Sequence, residues 1–158
     1  MQKERKIRVL LAKPGLDTHE RGVKLIAASL RDRGMEVIYT GVLQTTESIL
    51  RSALQEGADI IGLSFLCGGH RESASEILGE LRARGLEDVP VICGGIIPQR
   101  DAEELKALGV KEVYGPGTPF EAIVADVRRL AGSGANKPGT ASAVPRWGNG
   151  LDAKNGRQ

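Results

Sequence analysis

Residues 7–30 read IRVLLAKPGLDTHERGVKLIAASL, and this stretch sets the fold. Ile7–Ala12 is a short aliphatic run, too uniformly apolar to leave one face in water. After a polar loop, Val23, Ile26, Ala27 and Leu30 fall at i, i+3, i+4 and i+7, one stripe of an α-helix. A strand buried on both faces that leads into an amphipathic helix is the repeating unit of a parallel sheet sandwiched between helices.

The unit recurs along the chain. Apolar runs at Glu36–Tyr39, Asp59–Ser64, Val89–Cys93 and Val110–Tyr114 have strand length. Between and after them, Ala74, Ile77, Leu78 and Leu81 repeat the helical stripe, as do Phe120, Ile123, Val124 and Val127. Shorter helices fit Thr46–Glu56 and Asp101–Leu108. Asp101 with Glu104, and Thr118 with Pro119 and Glu121, read as N-terminal capping boxes. Gly34, Gly57, Gly85 and Gly109 stand where helices should end. Five β–α repeats imply an α/β fold, a doubly wound five-stranded parallel sheet in the flavodoxin-like order 2-1-3-4-5. Right-handed crossovers place every strand-to-helix loop at one edge of that sheet.

The chain's 158 residues and 16.8 kDa suit one such unit. We expect a frayed terminus over 1–5, the folded domain over 6–131, and a flexible Gly- and Pro-rich tail over 132–158 that carries Trp147. Lys plus Arg number 22 against 20 Asp plus Glu, a net charge of 22 − 20 = +2, which offers no electrostatic reason for a nucleic-acid or anionic-membrane partner. No apolar run approaches the ~20 residues that span a bilayer. Two cysteines make no disulfide framework, and nothing resembles a signal peptide, so a cytoplasmic location is expected.

In this fold ligands sit at the carboxyl edge of the strands. The first loop there holds Asp17 and His19. Residues two apart in an extended segment point the same way, so the carboxylate can orient the imidazole and leave its other nitrogen free for a metal; Lys13 stands near enough to modulate the pair. The plainer alternative is a solvated histidine beside a capping aspartate. Gly94 and Gly95 end a buried strand and admit close approach to the backbone, or else make a tight turn. Ser64, at the third strand's end, offers a hydrogen bond into the same crevice or satisfies its own backbone. Gly115-Pro116-Gly117-Thr118 opens a helix whose amides suit a phosphate or polar tail, or forms a capped turn.

Other chemistries fit less well. A phosphoacceptor receiver needs an aspartate where Ser64 stands, and a flavin site needs more aromatic walls than Phe65 and Tyr114 supply. Cys67, His70 and Cys93 lack the paired spacings of structural zinc sites. A P-loop and a nucleophile turn are missing.

Taken in order, Asp17-x-His19-x-x-Gly22, Ser64-x-Leu66 and Gly94-Gly95 resemble the three-part signature of cobalamin-binding domains, over residues from about 6 to 131. Ala12-Lys13-x-Gly15-x-Asp17-x-His19-x-Arg21-Gly22, Gly94-Gly95-x-Ile97-Pro98 and Tyr114–Thr118 resemble the methylmalonyl-CoA mutase branch in particular. The resemblance implies adenosylcobalamin as cofactor, with His19 as lower axial ligand of cobalt, Asp17 behind it and Lys13 further back. It implies that Ser64 meets the buried benzimidazole, that Leu66 lines its pocket, and that Gly94 and Gly95 let the nucleotide tail pass. The Gly115, Pro116, Gly117 and Thr118 loop would close the far side. Gly15, Thr18, Arg21, Gly22 and Gly68 complete the implied cofactor contacts.

Methyl-carrying corrinoid proteins, a resembling group, usually bear an N-terminal helical cap, for which the residues before the first strand leave no room. Nor is there length for a substrate barrel. The resemblance therefore implies a small cobalamin-binding subunit of a radical acyl-CoA mutase, with no catalytic residue of its own. Its partner would be a large subunit whose barrel binds the acyl-CoA. A methyl carrier serving a methyltransferase and a non-enzymatic cobalamin carrier or sensor are the alternatives.

Overall fold

Strand and helix alternate five times along residues 5–135, the part of the chain that the computed structural model describes. The elements are β1 (Arg8–Ala12), α1 (Arg21–Asp32), β2 (Glu36–Tyr39), α2 (Thr46–Glu56), β3 (Ile60–Phe65), α3 (His70–Ala83), β4 (Val91–Gly95), α4 (Gln99–Leu108), β5 (Glu112–Tyr114) and α5 (Phe120–Ala135). All strand pairs are parallel, in the order β2-β1-β3-β4-β5, which bears out the order read from the sequence.

Alternation of side chains across each strand divides the core in two. On one face Leu10, Ile61, Leu63 and Cys93 pack with Ile49 and Ala53 of α2, Ile77 and Leu81 of α3, and Leu105 of α4. On the other, Val9, Leu11, Ile60 and Ile92 pack with Val23, Ala27 and Leu30 of α1 and Ile123, Val124 and Val127 of α5. The faces differ near the carboxyl edge. The first carries Leu63, Phe65 and Cys93 there, whereas the second carries Gly62, Ser64 and Gly94. Side-chain volume is therefore missing beneath α1 and α5, at the level of the strand ends.

Several local expectations change. Helix α4 starts at Gln99 with Pro98 at its N-cap, so Asp101 lies inside the first turn and makes no capping box with Glu104. Its carboxylate accepts instead from His70 Nε2 (2.8 Å), joining the N-terminal turns of α3 and α4. The Thr118 hydroxyl donates to the Gly115 carbonyl (2.7 Å), and Glu121 pairs with Arg33 (3.1 Å), so each is used outside the expected box. A capping box that the sequence reading did not name, Thr45 with Ser48, starts α2. Gly57 and Gly109 are C-caps; Gly34 and Gly85 come one residue after theirs.

Arg5, expected within the loose terminus, pairs with Asp59 at 3.0 Å. Helix α5 continues three residues past Gly132, to Ala135. Residues 1–4 and 136–158, with Trp147, lie outside the described part. Among the described residues, no helix is long and apolar enough to cross a membrane.

Gly95 is the backbone's most constrained glycine. Its φ is +127°, and a Cβ there would run into the Phe65 carbonyl group of the neighbouring strand. At Gly94 a Cβ would meet Tyr114 atoms only at ordinary contact distances, 3.7 and 3.8 Å. Gly95→Ala should therefore cost more than about 2 kcal/mol, while Gly94→Ala stays within about 1 kcal/mol of the parent. Urea denaturation of the two variants checks this, and equal losses would contradict the assignment.

Candidate functional site

The missing volume beneath α1 and α5 is a cavity of about 550 Å³ that opens at the carboxyl edge of the sheet. Its floor is Leu11, Gly62, Ser64, Ile92 and Gly94, its sides come from α1 and from the start of α5, and Tyr114 closes one wall. The Tyr114 hydroxyl donates to Asp126 (2.9 Å), which keeps the ring upright; burial first, then that bond to a carboxylate, hold its proton well above the usual phenol range. Leu25, Ile96 and Phe120, each more than 40% exposed, ring the mouth. The space suits a long, largely apolar ligand group.

Beside the mouth stands His19, whose side chain is 59% exposed. Its position follows from Asp17, which is only 4% exposed in its side chain. Asp17 Oδ1 accepts from the His19 backbone N–H and from His19 Nδ1, each at 3.0 Å. Oδ2 accepts from the Leu66 amide at 2.7 Å and from Lys13 Nζ at 2.9 Å. Four donors fill the carboxylate. Burial by itself would raise the Asp17 pKa, but the backbone bond from His19, the Lys13 ammonium, the Leu66 amide and the imidazole together hold it well below the usual carboxylate range.

The ionised Asp17 accepts a hydrogen bond from Nδ1–H, which ties that edge of the ring to the loop and leaves Nε2 as the outward nitrogen. That is a single, oriented nitrogen ligand in an exposed position. Lys13, fully buried, closes the arrangement from behind and joins it to β3 through Ser64 O and Oγ, both at 3.2 Å. The Leu66 amide and the Asp17 carboxylate also lock the first loop to the third.

The sequence-derived residues fall into three groups. His19, Arg21, Gly22, Ser64, Leu66, Gly94, Gly95, Gly115, Pro116, Gly117 and Thr118 line the cavity. Lys13 and Asp17 stand behind the imidazole. Gly15, Thr18 and Gly68 are not at the cavity: the Gly15 amide bonds the Gln44 carbonyl (3.0 Å), and Thr18 and Gly68 lie on the exposed side of their loops. Gly62 and Ile123 also line the cavity and belong to none of the motifs read from the sequence. A glycine inside an aliphatic strand two places before Ser64 was the available signal for Gly62.

Cys67, His70 and Cys93 do not converge on an ion. Cys93 is buried in the core, where desolvation pushes its thiol up to about 12, and His70 Nε2 is taken by Asp101. Among the described residues, Asp17, His19 and Cys67 do bring ligand atoms within 4.8 Å of one another, with Cys67 Sγ 3.3 Å from His19 Nδ1. The carboxylate of that group has no lone pair in reserve, and with Nδ1 engaged the imidazole has only Nε2 left to offer.

The chain is similar to known proteins over most of its described length. A family model described as the B12 binding domain matches residues 7–124. The small subunit of 2-hydroxyisobutanoyl-CoA mutase from Aquincola tertiaricarbonis is 47% identical over 124 residues, 78% of this chain and 91% of that subunit. The pivalyl-CoA mutase small subunit of Xanthobacter autotrophicus is 45% identical over 126 residues, 80% of this chain and 84% of that one. Methylmalonyl-CoA mutase of Escherichia coli is 40% identical over 126 residues, but the match spans only 18% of that longer protein. A crystal structure of a cobalamin-binding protein from Desulfitobacterium hafniense superposes with a TM-score of 0.69 at 22% identity, covering 80% of this chain and 60% of that one. A Francisella response regulator receiver domain gives 0.62 at 15%, covering 82% and 99%. At such identities both share the fold alone.

The depressed Asp17 pKa has a sign. The unfolded carboxyl titrates near 3.9, so below about pH 4 the unfolded state takes up a proton that the folded state still refuses. The stabilisation is complete above that pH and is lost as the pH falls through the lower folded value. Denaturation measured from pH 6 down to pH 2 should show a slope that Asp17→Asn flattens. A parental slope in that variant would contradict the four-donor account.

Proposed function

The chain belongs to the B12-binding domain family, and on that premise we propose that it is the cobalamin-holding small subunit of an adenosylcobalamin-dependent acyl-CoA mutase. The observation that carries this reading is the Asp17-held imidazole at the mouth of a glycine-floored apolar cavity. When bound, adenosylcobalamin supplies a cobalt–carbon bond that breaks homolytically and opens a radical 1,2-rearrangement of the acyl group.

The residues suit that cofactor. Gly62, Ser64 and Gly94 put little side-chain bulk into the cavity, and His19 Nε2 is the uncommitted nitrogen that would hold cobalt. Asp17 holds that imidazole in one orientation through Nδ1, and Lys13 is among the donors that keep Asp17 ionised. Ser64 offers the tail base a polar contact in an otherwise apolar space. Leu66, Arg21, Gly22 and the Gly115–Thr118 turn line the cavity and would flank the tail. Gly15, Thr18 and Gly68, outside the cavity, are exposed on the loops beside His19 and would meet the part of the cofactor that stays outside.

This chain's part is to bind, orient and shield; substrate-contacting groups belong to a large subunit with its own barrel. Leu16, 92% exposed, and Ile96, 56% exposed, lie at the same edge as His19 and support a face covered in the assembly. The two small-subunit relatives, over most of their length, support a separate large partner, and their names point to branched acyl-CoA substrates. Free thiols at Cys67 and Cys93 fit a reducing, cytoplasmic compartment.

Reconstitution with a candidate large subunit, adenosylcobalamin and a panel of pivalyl-, 2-hydroxyisobutanoyl-, ethylmalonyl- and methylmalonyl-CoA should yield isomerisation of at least one thioester. Failure with all four, together with methyl transfer from a methylated form, would favour the methyl-carrier alternative. Gly94→Leu places a branched side chain in the cavity and should weaken cobalamin binding about ten-fold or more, yet leave the tailless analogue cobinamide unaffected. Parental cobalamin affinity in Gly94→Leu would show that the cavity is not the tail site.

A further inference from the structure

Lys13 does more than neutralise Asp17. Its ammonium group has three N–H donors and no lone pair. The side chain is fully buried, and Nζ has three acceptors around it: Asp17 Oδ2 at 2.9 Å, Ser64 O at 3.2 Å and Ser64 Oγ at 3.2 Å. Ser64 Oγ is therefore an acceptor toward Lys13, and its own proton must point elsewhere. Among the described residues it meets no acceptor. Ser64 lines the cavity, with glycine at 62 on the same strand and Gly94 opposite in the register.

We propose that Lys13 is a positioning residue that fixes the Ser64 hydroxyl as a donor into the cavity, so that the cavity selects a ring carrying an unprotonated nitrogen. The inference rests on the cavity being the seat of the cofactor's tail base. A donor in a dry site is selective: a partner with a lone pair completes the chain from Lys13 N–H through Ser64 O–H to the ring nitrogen. A ring of similar width without one leaves the hydroxyl buried and unsatisfied. Without the ammonium, the hydroxyl rotates freely and can accept as readily as donate, so the preference fades.

The test uses two intact cofactors on the full chain: cobalamin, whose benzimidazole has the nitrogen, and the cobamide whose tail base is p-cresol, which lacks it. The quantity read is the ratio of their dissociation constants, cresol form over benzimidazole form. Each cofactor's own cost of freeing its base from cobalt is the same for every variant and cancels in the comparison. Lys13→Met should lower the ratio about five-fold or more, as should Ser64→Ala, and the double variant should lower it no further. Should the Met variant not stay folded, Lys13→Gln, which keeps a neutral donor, should lower the ratio less than Ser64→Ala does. If both constants rise together in the lysine variant and the ratio holds, Lys13 is merely structural and the proposal falls. A parent protein whose absorption spectrum shows no histidine-ligated cobalamin would instead sink the reading of the site itself.

Discussion

A single buried carboxylate organises the working edge of this protein. Asp17 accepts four hydrogen bonds, two from His19, one from Lys13 and one from the Leu66 amide. Breaking a buried ion pair by removing one partner typically costs about 3–5 kcal/mol, because the other charge is left without compensation. Burial of the Asp17 charge is offset here by donors drawn from two loops that are far apart in sequence. The same bonds decide the chemistry: with Nδ1 committed to Asp17, the imidazole can offer only Nε2. Stability and ligand presentation thus rest on one group.

The second constraint is an asymmetry of the sheet. At one level the strands carry Leu63, Phe65 and Cys93 toward α2, α3 and α4, and Gly62, Ser64 and Gly94 toward α1 and α5. The filled face packs against three helices, and the bare face leaves open space beneath α1 and α5. Gly95 belongs to the first requirement, since its backbone leaves no place for a Cβ against Phe65. Its neighbour Gly94 belongs to the second. Two adjacent glycines therefore have different physical reasons to be there.

Much of this was legible in the residues. Strand periodicity and helical stripes gave the sheet order, since each β–α unit repeats a simple hydrophobic code that packing reinforces. The Asp17–His19 contact followed from a local spacing of two. What spacing could not reveal was contact across the chain. Lys13 meets Ser64, 51 residues away, and Asp17 reaches the Leu66 amide, 49 residues away. Asp101 looked like a helix cap because its local sequence allows it, but His70, brought beside it by the packing of α3 on α4, takes its carboxylate. Gly62 was passed over because a strand glycine acquires meaning only once its neighbours Leu11 and Ile92 are placed. Family likeness supplied the nature of the ligand, which neither periodicity nor burial encodes.

The account comes down to whose nitrogen lies beneath the cobalt. Electron paramagnetic resonance of Co(II) cobalamin, mixed with chain labelled with nitrogen-15 at histidine, reads this directly from the splitting by the axial nitrogen. If His19 is the ligand, each cobalt line splits into a doublet from nitrogen-15, and the splitting disappears or changes in His19→Ala. A triplet that ignores the label would mean that the corrin's own base had never left the metal, and would contradict the central claim.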